Sequence, residues 1–197
     1  MYTPTRDTTG EADIPRLVRE AQEGNEDSLS RLYELLSDRI YRYILMRVSH
    51  RETAEDITQV VFIEMIRSLP RYTERAGAKF STWLFQIARH RLIDHYRRQK
   101  TVLSLDETLE SHPNMQVDPA PPPDDALVSS GNLTNLLKHL SERQQTILHL
   151  FFQEEMSLRE IADILDISIV SVRVEKHRAL KKLKHMLLVK DSHLPLI

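Results

Sequence analysis

Side-chain catalysis needs partners at fixed spacing, and this chain of 197 residues is poor in them. It has no cysteine, which removes thiol nucleophiles, thiolate metal sites and disulfides together and fits a reducing compartment. Its nine histidines never fall three or four apart, so no helix can present two imidazoles on one face. Adjacent acids include Glu26-Asp27, Glu55-Asp56, Asp124-Asp125 and Glu154-Glu155, but neighbours on a helix diverge. Glu52 and Asp56 could share a face, yet no third ligand joins them. Metal-assisted cutting needs such clusters, so no metal site, catalytic residue or cofactor is predicted. Four glycines in the whole chain also disfavour a phosphate-cradling loop.

What the residues could do instead is hold a polyanion. The formal net charge is only −2, but the charge is arranged in blocks. Residues 86–100 carry Arg89, Arg91, Arg97, Arg98 and Lys100 against the single acid Asp94. Residues 173–190 carry Arg173, Lys176, Arg178, Lys181, Lys182, Lys184 and Lys190 against Glu175. Between them, residues 101–130 have no Lys or Arg and six acids: Asp106, Glu107, Glu110, Asp118, Asp124 and Asp125. Local patches, not the total, decide where a polyanion docks.

The elements that would position these blocks read as helices. Residues 14–24 predict a short helix with Leu17, Val18 and Ala21 on one face. Asp27 is the expected cap of a long helix to about Val48, with Leu29, Leu32, Tyr33, Leu36, Ile40, Tyr43, Ile44 and Met46 at roughly helical spacing. Ser49 and Glu52 have capping-box spacing for a third helix that Pro70 ends near Leu69. Residues 71–80 predict a loop, and Ser81 a cap for a fourth helix to about Gln99. Low hydrophobicity and the run Pro119-Ala120-Pro121-Pro122-Pro123 mark 101–130 as a linker. Beyond it a second helical cluster begins at 133–140. Ser141/Gln144 and Ser157/Glu160 are capping boxes for helices over 142–153 and 158–165, and a last helix runs from Ser168 or Ile169 to about Val189. The fold class expected is all-α: two small helical domains, 11–100 and 131–190, joined by a flexible linker.

Residues 158–183 have the spacing of a helix-turn-helix. Ala162 is the small residue the crossing demands, with Ile161 and Leu165 inward beside it. The turn is Asp166-Ile167-Ser168, with Ile167 expected to be buried and Ser168 to cap the next helix. Val172, Ala179, Leu180, Leu183 and Leu187 form the expected packing stripe of that helix, with a basic outer face suited to a major groove. The third helix poses a different question. Ile57, Val60, Val61, Phe62, Ile63, Met65 and Ile66 surround it almost completely, so it is either central in its bundle or keeps one face for a partner. The fourth helix mixes Phe80, Trp83 and Phe85 with cations, which suits unstacked bases; Trp83 by itself reads more simply as core.

Three strings, Ala54-Glu55-Asp56-Ile57-Thr58-Gln59, Phe80-Ser81-Thr82-Trp83-Leu84-Phe85-Gln86-Ile87-Ala88-Arg89, and Ile93-Asp94 followed by Arg97-Arg98, resemble region two of bacterial sigma factors. Leu140-Ser141-Glu142-Arg143-Gln144, Ile161-Ala162-Asp163-Ile164-Leu165 and His177-Arg178-Ala179-Leu180-Lys181-Lys182-Leu183 resemble region four. Their order, and a linker with no domain between, resemble the extracytoplasmic-function (ECF) subfamily from about Ile14 to Leu188. The resemblance implies a non-enzymatic factor that binds core RNA polymerase and directs promoter-specific initiation. It implies that Asp56, Gln59, Val60 and Ile63 meet the β′ clamp helices. The loop 70–79 and Phe80, Arg89, His90, Arg91, Asp94, Arg97 and Arg98 would melt and read the minus-ten element. Ser168, Ser171, Arg173, Glu175, His177, Arg178 and Lys181 would read the minus-thirty-five element near the β flap. It also leaves room for an anti-sigma factor as a partner. Four positions depart from the family pattern. Val60 stands where an acid is common, His90 where Asn is usual, Asp166 where the turn has Gly, and Glu175 at a commonly basic position.

An extended chain spans at most ~3.3 Å per residue, so the linker reaches ~100 Å and could serve DNA sites about two turns apart. A competing reading is a stand-alone helix-turn-helix regulator whose N-terminal half is a sensor or dimerisation module. The second basic-aromatic helix speaks against it, since a sensor has no need of one. Residues 1–15 contain no apolar run and no stretch has the length of a membrane span, so a cytoplasmic protein without membrane insertion is expected.

Overall fold

The computed structural model describes residues 8–48, 50–74, 79–106 and 135–191. Among these, every regular element is helical, and they form two compact units on either side of segment 107–134.

The first unit contains α1 (Thr8–Gln22), α2 (Glu26–Leu45), α3 (Arg51–Ser68) and α4 (Phe80–Asp106). α1 starts earlier than the expected Ile14 and carries Pro15 inside it. Gly24 turns the chain at φ +94, a conformation costly for any residue with a Cβ. Asn25, not Asp27, then caps α2: its side chain accepts from the Ser28 amide at 3.0 Å. Asp27 is left as an acid in the first turn, where the helix dipole favours it. Leu32, Leu36, Ile40, Tyr43 and Ile44 of α2 are fully buried, as are Val61 and Met65 of α3 and Leu84 and Phe85 of α4. Each contributes roughly 1.5–3 kcal/mol. Tyr33 and Met46, expected on that stripe, are exposed: Tyr33 lies beside the buried Leu32, and Met46 is the C-cap, past the last turn of α2. Tyr33 instead meets Phe62 of α3 edge-on, at 4.7 Å between ring centres.

Of the predicted Ser49–Glu52 capping box, Ser49 lies outside the described residues, and His50 occupies the N-cap of α3 with no side-chain capping bond. α3 ends at Ser68, and a 3-10 turn, Leu69–Arg71, absorbs Pro70. α4 begins at Phe80, so Ser81 is not a cap but a buried first-turn residue, and Trp83 donates its amide to the Lys79 carbonyl. The helix runs past the expected Gln99 to Asp106, so residues 101–106 of the expected linker are helical. The remainder of that expectation, 107–130, lies outside the described residues.

In the second unit a helical turn at 135–137 precedes α5 (Glu142–Leu148), α6 (Leu158–Leu165) and α7 (Ile169–Asp191). Both predicted capping boxes form, Ser141 with Gln144 and Ser157 with Glu160. The helix expected over 142–153 changes to a π turn at His149–Gln153. Leu140, Leu148 and Ala179 pack together with Leu137 and Leu183, while Ile147, Leu150, Ile161, Ile164 and Val172 are also buried. Glu155 and Asp166, the turns flanking α6, are both left-handed at φ +51. Asp166 thus takes over the Gly conformation that the resemblance implied. Ile167 is half-buried rather than buried. The packed stripe on α7 is Val172, Ala179, Leu183 and Met186. Leu180 and Leu187, expected in it, are exposed because each stands one residue, or 100°, past a packed position.

Candidate nucleic-acid and partner interfaces

α3 keeps one face for the core and one for solvent. Ala54, Ile57, Val61 and Met65 are buried. Asp56, Gln59, Val60 and Ile63, at i, i+3, i+4 and i+7, are all exposed on the other side, and Ile66 and Arg67 continue the same face. Val60, Ile63 and Ile66 are 45–48% exposed. Three aliphatic side chains thus stand in water along one stripe. Ile66 was not among the expected contacts; its place three residues after Ile63 is the signal that could have found it.

α4 divides its polar residues between two tasks. His90, Arg97 and Arg98 are exposed, and Arg89 is half-buried. Gln86, His90, Ile93 and Arg97 lie on one outward face by helical spacing. Arg91 is turned inward. Its Nε lies 2.6 Å from Oε2 of Glu64 on α3, its Nη2 donates to Glu64 Oε1 at 3.1 Å, and Nη1 lies 3.1 Å from Asp94. Arg91 and Asp94 therefore tie α4 to the helix that carries the exposed aliphatic stripe. Phe80, expected to meet bases, is only 4% exposed. Its ring packs against Tyr72 and Trp83 at 5.1 and 5.2 Å, and Tyr72 and Trp83 meet at 4.8 Å. An aromatic at the start of α4 is here consumed in closing the loop that precedes it.

That loop has a second fastening. The Gln22 amide of α1 donates to the Leu69 carbonyl at 2.9 Å and the Tyr72 carbonyl at 2.7 Å. Burial, and then the charge of Glu74, push the Tyr72 phenol above its ordinary pKa. Residues 75–78 lie outside the described set. Farther along α4, Tyr96 donates its hydroxyl to the Arg47 carbonyl, and the Arg47 guanidinium stacks 3.9 Å from the Tyr43 ring. Burial, and then the neighbouring Arg98, lower the pKa of His95.

On α7, Ser168 caps as expected, accepting from the Ser171 amide at 3.1 Å. The Ser171 hydroxyl lies 2.8 Å from that of Ser168, so it is engaged locally. Arg173, His177, Arg178 and Lys181 are exposed. Glu175 is half-buried and held from two sides: Gln144 Nε2 donates to it at 3.0 Å and Arg178 Nη1 at 3.0 Å. Gln144 also closes the capping box of α5, so one amide fixes the helix start and the acid together. Glu175 accordingly orders Arg178. Val170 and Val174 are exposed on the outer face of the first two turns and were not anticipated.

Among the described residues no group of three His, Cys, Asp or Glu could hold a metal ion, and no helix is long and apolar enough to cross a membrane.

Comparison with known proteins agrees with this arrangement. Residues 32–102 match Sigma-70 region 2 and residues 136–185 match Sigma-70, region 4. The chain is 32% identical over 180 residues to the ECF RNA polymerase sigma factor BldN of Streptomyces coelicolor, covering 89% of this chain and 66% of that protein. It is 34% identical over 167 residues to the RNA polymerase sigma factor YlaC of Bacillus subtilis, covering 81% and 92%. The solved complex of the sigma factor RpoE with the anti-sigma factor NepR from Bartonella quintana superposes with a TM-score of 0.61 at 19% identity. It covers 81% of this chain and 96% of that one, a likeness of fold. With both regions matched in order and relatives of this similarity, the chain belongs to the ECF group of RNA polymerase sigma factors.

Proposed function

We propose that this sigma factor works in the cytoplasm. There its first unit, residues 11–100, docks on core RNA polymerase and melts the minus-ten element, while its second, 131–190, reads the minus-thirty-five element. The acidic segment after α4, residues 107–130, tethers them. The observation that carries this reading is the exposed stripe Asp56, Gln59, Val60 and Ile63 on α3, joined through Glu64–Arg91 to the outward basic face of α4. The stripe meets the β′ clamp helices. Arg89, His90, Arg97 and Arg98 meet the DNA, with Arg91, Asp94 and Phe80 positioning them. On α7, Arg173, His177, Arg178 and Lys181 face DNA, Ser168 and Glu175 set their geometry, and the unit approaches the β flap. The solved relative bound to an anti-sigma factor supports a similar partner here. A stand-alone regulator is not favoured, because both halves match sigma regions.

The test is capture of core polymerase by the full chain. Val60→Asp with Ile63→Asp places charge in the stripe without touching the core. Core binding should weaken about 30-fold or more, as for a central interface residue, with helicity and melting unchanged. Undiminished capture would refute the docking face.

A further inference from the structure

Val170 is 65% exposed, more than any other large aliphatic or aromatic side chain among the described residues, and Val174, one turn on, is 40% exposed. Neither packing nor helix propensity explains them: they are outside the buried stripe, and β-branched residues are mediocre helix formers. By helical spacing both lie at the centre of the outer face, in line with His177 and Lys181, with Arg173 and Arg178 to either side. This puts a small aliphatic patch inside a cationic rim, on the turns of a recognition helix that approach base edges. In the major groove, the apolar group a base edge offers is the C5 methyl of thymine.

We propose that Val170 and Val174 read thymine methyl groups in the upstream promoter element, and so set part of its sequence. The inference rests on the placement of α7 in the groove given above. Two positions four residues apart are separated by ~6 Å along the helix. At ~3.4 Å per base-pair step, the thymines lie within about two steps of each other, on either strand. The cationic rim supplies affinity for any sequence, and the valines supply discrimination.

The experiment uses holoenzyme assembled from the full chain and core polymerase. Upstream elements are selected from a random duplex library prepared once with thymine and once with uracil, which pairs identically but lacks the methyl. The selected duplexes are then titrated. Thymine should be preferred at one or two positions by about three- to fivefold each, the worth of one buried methyl, and the preference should vanish with uracil. Val170→Ala with Val174→Ala should lose it in the thymine library as well, weakening binding to the selected duplexes but little to duplexes without those thymines. A preference that persists undiminished with uracil overturns the methyl contact while leaving upstream reading intact. No upstream preference of any kind overturns both. If the variant keeps thymine discrimination but loses core polymerase, the patch is a protein contact and the proposal is wrong.

Discussion

α4 is packed by α2 and α3 and also touches α1, whereas α7 rests on α5 and α6 along one narrow stripe. Both helices are rich in arginine, lysine and histidine, and both carry an acid among those cations. In the first unit the acid that matters comes from another helix: Glu64 on α3 engages Arg91 in a half-buried pair between the two helices. In the second it is internal: Glu175 stays on α7 and, anchored by Gln144, holds Arg178 on the outside. α7 spends cations on its own unit as well: Lys176 sits 3.6 Å over the Phe151 ring and Lys182 donates to the His139 carbonyl at 2.5 Å. Counting positive charges along either helix therefore overstates the cations left to meet a polyanion.

The largest effect that would break this contrast is at Arg91. Arg91→Ala leaves Glu64 half-buried without its guanidinium and should destabilise the first unit by about 1–2 kcal/mol, between an exposed and a buried pair. Arg98→Ala should leave melting unchanged, weaken DNA binding evenly and lower the salt slope by about one. Calorimetry and salt titrations on the two variants decide it; if both act only on DNA affinity, Arg91 is a contact and the contrast fails.

The turns sharpen the same contrast, because the units treat left-handed backbone differently. The first uses Gly24, and a Cβ there would meet nothing within 4 Å. Gly24→Ala should still cost about 1 kcal/mol through backbone strain alone. The second uses Asp166 at φ +51, so Asp166→Gly should be neutral to slightly stabilising, by up to about 0.5 kcal/mol. Opposite signs in chemical denaturation are the expected result.

The smallest effect concerns His95. Its folded pKa lies below the ordinary 6.5, chiefly through burial. The unfolded chain therefore binds the proton more readily, and the stability His95 contributes is present above that value and declines as pH falls through it. The first unit should melt at a lower temperature as pH drops below 6.5, and His95→Asn should flatten that slope. An unchanged slope would assign the pH response elsewhere.

Helix identity, both C-terminal capping boxes, the left-handed Asp166 and the Ser168 cap were legible because they depend on residues within a few positions of one another. The first two caps were misplaced for a similar reason: Asn25 and Asp27 are equally competent acceptors, and only tertiary packing chooses where α2 begins. The burial of Phe80 and the pairing of Arg91 were not legible from α4 alone, because they depend on Tyr72 and Glu64, residues that a helical wheel of α4 does not contain. Val170 and Val174 were missed because the chosen stripe on α7 drifted by one residue at Leu180 and Leu187.

The aromatic triad at the base of the loop has an optical consequence. Trp83 is the sole tryptophan, and the six tyrosines end at Tyr96, so the second unit has neither indole nor phenol. Ultraviolet absorbance and emission from those rings therefore report on the first unit alone. The second unit can melt, or meet DNA, in the dark, seen through its amide backbone but invisible to tryptophan fluorescence. Emission from Trp83, set 4.8 Å from Tyr72, instead follows the packing of that triad.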